Sequence, residues 1–197
     1  MPYRVDVPEG SEPLEYFMYH VGTRQLVEGR QRLYATIFDA PETSLTPRER
    51  EGPRILMAKR VNCPTCISVR LWRDMPGYSD EEIPEVFYEN AINANAHWEG
   101  FSVRESLLVE FADRFENDVD NINADDDFWA RIYANFTEAE VGDALIMLST
   151  WMGAGRVVKV LGAVSVCRMP DTEQLTKLLT CSNASTKTPS PDLVAAE

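Results

Sequence analysis

Apolar residues recur along this chain at helical rather than strand spacing. Leu26, Leu33 and Ile37 fall on one predicted helix face, with Val27, Tyr34 and Phe38 beside them. Leu107, Leu108, Phe111 and Phe115 repeat the period, as do Phe128, Trp129, Ile132, Tyr133 and Phe136. Val141, Leu145, Leu148, Met152 and Leu161 predict a long helix from Thr137 to about residue 163. No segment sustains the period-two alternation of a half-buried strand. The pattern predicts an all-α fold of about eight helices.

Polar punctuation agrees with the apolar period. Four times a Ser or Thr precedes a Glu by three residues: Thr46/Glu49, Ser79/Glu82, Ser102/Glu105 and Thr137/Glu140. Such a pair satisfies two orphan backbone donors at a helix start, the capping box. Pro47 suits the first helical position after Thr46, where its missing N–H costs nothing. The acidic "NADDD" suits the start of the helix carrying Phe128, because carboxylates stabilise a helix N-terminus. Pro53 should kink or restart the helix opened by Thr46, and Pro84 the helix after Ser79. The acidic connector "ENDVDNINADDD" lacks the glycine and final glutamate of an EF-hand loop and reads as solvated. The tail "CSNASTKTPSPDLVAAE" lacks a periodic apolar face and reads as disordered.

Composition narrows the function classes. At 197 residues and 44% hydrophobic, the chain can bury one good core. A net charge of −13 repels a phosphate backbone, so nucleic acid is not an expected partner. The start "MPYRVDVPEGSEPLEYF" has neither the basic end nor the apolar run of a signal peptide. Uninterrupted apolar runs fall short of the ~20 residues of a membrane span. These features point to a cytoplasmic protein, in which a close cysteine pair need not be a structural disulfide.

The candidate chemistry lies in "NCPTCISVRLW". Asn62 is a good N-cap, and Cys63 and Pro64 then open a helix running through Trp72 and Arg73. A helix start favours thiolate, because free N–H groups and the positive dipole end lie beside the sulfur. Cys63 and Cys66 would share a face, with Arg70 one turn beyond Cys66. The guanidinium would stabilise a thiolate but cannot transfer a proton. Three readings of C-x-x-C are open: a redox pair, half a metal site, or two small core residues. Zinc would need two more ligands, and Cys167, Cys181, His20 and His97 are not paired at ligand spacing. The helix start, the flanking Pro64 and the all-α context favour redox. Met147, Trp151 and Met152 read as gap-fillers in core or interface. No glycine-rich phosphate loop is present, and no flavin, haem or nucleotide is expected.

At these residues the chain resembles the carboxymuconolactone decarboxylase superfamily, within it the alkylhydroperoxidase D-like branch. That branch carries E-x11-C-x-x-C-x3-H; here Glu51, Cys63 and Cys66 hold the spacing, and Arg70 stands in the histidine slot. "SLTPRERE", "GYSDEEI", "FSVRESLLVEFADRF" and the run from "DDDFWARIY" to "VVKVLG" resemble its other segments. The resemblance implies an alkylhydroperoxidase D-like helical domain over 12–165, between extensions 1–11 and 166–197, assembled as a trimer or hexamer. It implies Cys66 as the peroxide-attacking thiol, Cys63 as the resolving one and Glu51 in a proton relay. Helix-start position alone would rank Cys63 as the more activated thiol.

The arginine opens a choice. The first reading is hydroperoxide reduction or dithiol–disulfide exchange, re-reduced by a thiol/disulfide partner protein, with His97 a candidate substitute imidazole. The alternative is non-redox chemistry on a small carboxylate or lactone, with Glu51 as base and Arg70 as carboxylate clamp.

Overall fold

The computed structural model describes residues 4–11, 13–39, 45–70, 73 and 83–162. Among these the elements are helical and none is a strand, as the periodicity predicts. In order they are α1 (Pro13–His20), α2 (Arg24–Asp39), α3 (Pro47–Arg60), α4 (Pro64–Ser68), α5 (Glu85–Ile92), α6 (Val103–Asn117), α7 (Val119–Ile122), α8 (Asp126–Asn135) and α9 (Glu138–Leu161). The chain divides into two compact units, residues 1–17 with 41–167, and residues 18–40 with 168–197.

In the smaller unit, α2 buries Val27 and Ile37 while Leu26 and Leu33 are exposed. The buried stripe is therefore displaced from the predicted one. Arg30 reaches back with Nη2 to the Met18 carbonyl at 2.7 Å, tying α2 to the segment before it. Burial pushes the Tyr34 phenol up to about 12.

The larger unit is organised around α3, which packs against α4, α5, α6 and α9. Every residue from Glu49 to Ala58 is buried. A helix enclosed on all sides is ordinarily apolar all round, yet this one encloses Glu49, Arg50, Glu51 and Arg54. Buried charge is tolerable only when paired, and Glu49, Glu51 and Arg54 each hold an ionic partner.

Three predicted capping boxes form. Thr46, Ser102 and Thr137 cap α3, α6 and α9, each accepting from its glutamate's backbone N–H while the glutamate reaches back. The cap glutamates are also cross-linked. Arg48 of α3 donates Nε to Glu105 of α6 at 2.6 Å. Arg104 of α6 reciprocates, donating Nε to Glu49 of α3 at 2.5 Å and Nη2 to Glu140 of α9 at 2.7 Å. Three helix starts are thereby locked together. The Ser79/Glu82 pair lies outside the described residues, and α5 begins at Glu85 with Pro84 at its N-cap.

Pro53 neither breaks nor restarts α3, which continues through it to Arg60. Neighbours come close at the Gly52-Pro53 step: a Cβ on Gly52 would stand 3.2 Å from Val109 and 3.4 Å from Phe87. Asp125 caps α8 as the acidic start predicts, and the indole of Trp129 donates to the Ile122 carbonyl at 2.8 Å. The long helix α9 ends at Gly162 in the left-handed conformation. It is 24 residues long and, by length and composition, apolar enough to cross a membrane, which counting uninterrupted runs did not reveal. One face, through Ala144, Leu148, Trp151, Gly155 and Val158, is buried; core helices pass the same test. The tail beyond Gly162 lies outside the described residues.

Candidate functional site

The cysteine turn is built by the end of α3. Val61 is the C-cap, and Asn62 takes the left-handed conformation at φ +52°. The Asn62 N–H bonds the Lys59 carbonyl and the Cys63 N–H the Ala58 carbonyl, both at 3.0 Å. This is a Schellman turn, with asparagine in the slot usually held by glycine. Asn62 therefore closes α3 and is not the N-cap of the cysteine helix, contrary to the sequence expectation. Cys63 is the N-cap.

That assignment changes the chemistry of the first cysteine. The Cys63 sulfur accepts the Cys66 backbone N–H at 3.3 Å, the place a serine oxygen takes in an ordinary cap. The two sulfurs lie at bonding distance, with Cα atoms 5.3 Å apart. Cys63 is buried, in a cluster with Val61 and Val158; the partly buried Cys66 packs on that cluster together with Met152 and Leu161. Gly155 makes this docking possible, because a Cβ there would stand 2.2 Å from a Val61 methyl.

The second difference from the sequence reading is length. α4 ends at Ser68, and Val69 is extended, so Arg70 does not continue Cys66's helical face. Its guanidinium turns to other partners: Nη2 and Nε donate to the Glu85 carboxylate at 2.5 and 3.1 Å, and Nη1 to the Ile67 carbonyl at 2.6 Å. It lies 4.4 Å over the Tyr88 ring. Arg73 donates to the same Glu85 at 3.0 Å. The Arg70 hydrogen bond, foremost, holds the Glu85 carboxyl below its usual range.

Glu51 is fully buried, as α3's central position requires. It is held by Arg54, one turn on, through Nε at 2.6 Å and Nη2 at 2.8 Å. Arg54 also donates Nη1 to the Cys66 carbonyl at 2.9 Å and Nη2 to the Val69 carbonyl at 2.6 Å. A short helix leaves its last carbonyls without intrahelical donors. Here Arg54 meets those of Cys66 and Val69, and Arg70 that of Ile67. The buried Tyr88 is pushed up by desolvation and then by the Glu51 carboxylate its phenol faces.

Arg54 thus links the Glu51 carboxylate to the turn that carries Cys63 and Cys66, and Arg70 is tied to α5 through Glu85. His97 sits apart, on the α5–α6 loop, in the wall of a groove of about 350 Å³ shared with Trp98, Arg131 and Asn135. None of the residues lining that groove belongs to the cysteine cluster. His20 is exposed at the end of α1. No cluster of metal-ligating side chains forms among the described residues. Sequence reasoning missed Arg54 and Glu85. Arg54 had a legible signal, a cation three residues after Glu51 on one helix; Glu85 had none, because fifteen residues separate it from Arg70. Compared with known proteins, the chain matches no family profile, no curated relative and no solved structure.

Proposed function

We propose that this protein is a dithiol–disulfide oxidoreductase whose working pair is Cys63 and Cys66. The observation that carries the reading is the asymmetry of the pair. Cys63 is buried with its sulfur on a backbone N–H, while Cys66 is only partly buried. In reduction, a substrate thiolate attacks the Cys66 sulfur, the Cys63–Cys66 bond breaks, and Cys63 leaves as a thiolate stabilised by the Cys66 N–H. A second substrate thiolate then attacks the substrate sulfur of the mixed disulfide and frees Cys66. Two substrate thiols become one disulfide, and the pair gains two electrons.

Exchange of this kind has a thiolate leaving group and needs no proton donor. Hydroperoxide reduction does need one at the departing oxygen, and the groups beside the turn are engaged elsewhere: Glu51 with Arg54, and Arg70 with Glu85. This supports exchange over peroxide reduction within the redox reading. The non-redox alternative loses support for the same reason, since a base at Glu51 and a clamp at Arg70 would each have to leave a bidentate partner. The test is thiol titration with mass spectrometry. The reduced native protein should present a fast thiol at Cys66 and a slower one at Cys63, and a small disulfide oxidant should convert both into one Cys63–Cys66 bond. Two thiols that survive the oxidant would overturn the reading.

A further inference from the structure

Seven cations and no carboxylate occupy two stretches of this acidic chain. Residues 52–73 contain Arg54, Lys59, Arg60, Arg70 and Arg73; residues 144–162 contain Arg156 and Lys159. The fold brings these stretches together at the cysteine turn, where Val61, Cys63 and Cys66 meet Met152, Val158 and Leu161. Two of the seven are neutralised in place, Arg54 by Glu51 and Arg60 by Asp113 and Glu116. Arg70 and Arg73 both pair with the Glu85 carboxylate. Lys59, Arg156 and Lys159 are exposed and form no ion pair with a carboxylate among the described residues. Lys59 lies in the last turn of α3, just before the turn that carries Cys63, and Arg156 and Lys159 follow Gly155 and Val158, which pack against that turn. A chain of charge −13 thus carries three exposed cations on the two segments that pack together at the cysteine turn, a cationic collar for the pair.

We propose that this collar selects the exchange partner: an anionic thiol, with carboxylates close to its sulfur, steered to Cys66 by Lys59, Arg156 and Lys159. The proposal rests on the exchange reading above. Fields from clustered charges raise encounter rates and fade as salt shortens their reach. The net charge of the chain opposes the approach of such a molecule overall, so the collar also biases where it docks.

The experiment measures reduction of the oxidised native protein by three small thiols: mercaptosuccinate (anionic), 2-mercaptoethanol (neutral) and cysteamine (cationic). Rates are expressed per thiolate, at low and high salt. The expected order is anionic over neutral over cationic, with an anionic-to-neutral ratio of about ten at low salt that collapses at high salt. In the Lys59→Gln/Arg156→Gln/Lys159→Gln variant the ratio should approach one; a ratio cancels any change in the disulfide itself. If 2-mercaptoethanol in excess leaves the disulfide intact, the exchange reading falls and the proposal with it. If the neutral thiol reduces it but the ratio is one or below, or ignores salt, the proposal alone falls.

Discussion

Arg54 grips the Cys66 carbonyl at 2.9 Å while the same guanidinium holds the buried Glu51 carboxylate at 2.6 and 2.8 Å. One side chain therefore neutralises the most enclosed charge in α3 and anchors the turn that carries the disulfide.

Removing it should be costly. Arg54→Met leaves Glu51 buried without its cation, a change worth about 3–5 kcal/mol of destabilisation. Glu51→Gln/Arg54→Met removes both charges and should recover much of the loss. Urea unfolding of the two variants measures this, and a double variant as unstable as the single one would contradict the pairing.

Asn62 offers a test of the Schellman turn. A β-branched residue is poorly suited to its left-handed backbone, so Asn62→Val should cost about 1–2 kcal/mol, whereas Asn62→Gly should be close to neutral. If Asn62 were instead an N-cap, Asn62→Ser would be close to neutral, whereas at a left-handed position it should cost about 1 kcal/mol. Thermal unfolding separates the two.

Gly155→Ala sets two effects against each other. Alanine gains about 1 kcal/mol over glycine in a helix interior. Its Cβ, however, would stand 2.2 Å from a Val61 methyl, and overpacking of this kind costs about 1–3 kcal/mol. The variant should be destabilised and should alkylate faster at reduced Cys63. Val61→Ala/Gly155→Ala makes room for the methyl and should restore protection of the thiol.

The arginine lattice at the helix starts predicts an acid limb. The Arg104 hydrogen bond, and then the Thr137 backbone N–H, hold the Glu140 carboxyl down to about 2. A carboxylate with a depressed folded pKa contributes stability that is fully present above its unfolded value and lost as the folded value is approached. Stability should therefore decline as pH falls from about 4.5 towards 2. Glu140→Gln should lower stability at neutral pH and flatten that limb in unfolding free energies measured against pH.

Assembly is open to a direct measurement. Leu26, Ile146 and Val160 stand exposed, and a homo-oligomer of the kind the sequence leads us to expect would cover such side chains. Light scattering at micromolar concentration should return a mass above that of one chain; a monomer would overturn that expectation.

Period and punctuation along the chain were enough to place α2, α3, α6, α8 and α9, because capping and amphipathic spacing are interactions over three to seven residues. Thr46, Ser102 and Thr137 cap where their glutamates predicted, and the C-x-x-C announced two close sulfurs. Which cysteine caps the turn was not legible. Asn62 satisfies the sequence requirements of an N-cap and of a left-handed C′ residue equally well, and only the path of α3 into α4 decides between them. Arg70 looked like a neighbour of Cys66 for as long as the helix was assumed to continue. Its end at Ser68, and a carboxylate fifteen residues away, turned that charge toward Glu85. Arg48 with Glu105 and Arg104 with Glu49 had the same character: each half of the exchange is visible locally, but the pairing depends on how two helices cross. Short-range hydrogen bonds are written in residue spacing, whereas the partner of a buried charge is set by whichever element the fold brings against it.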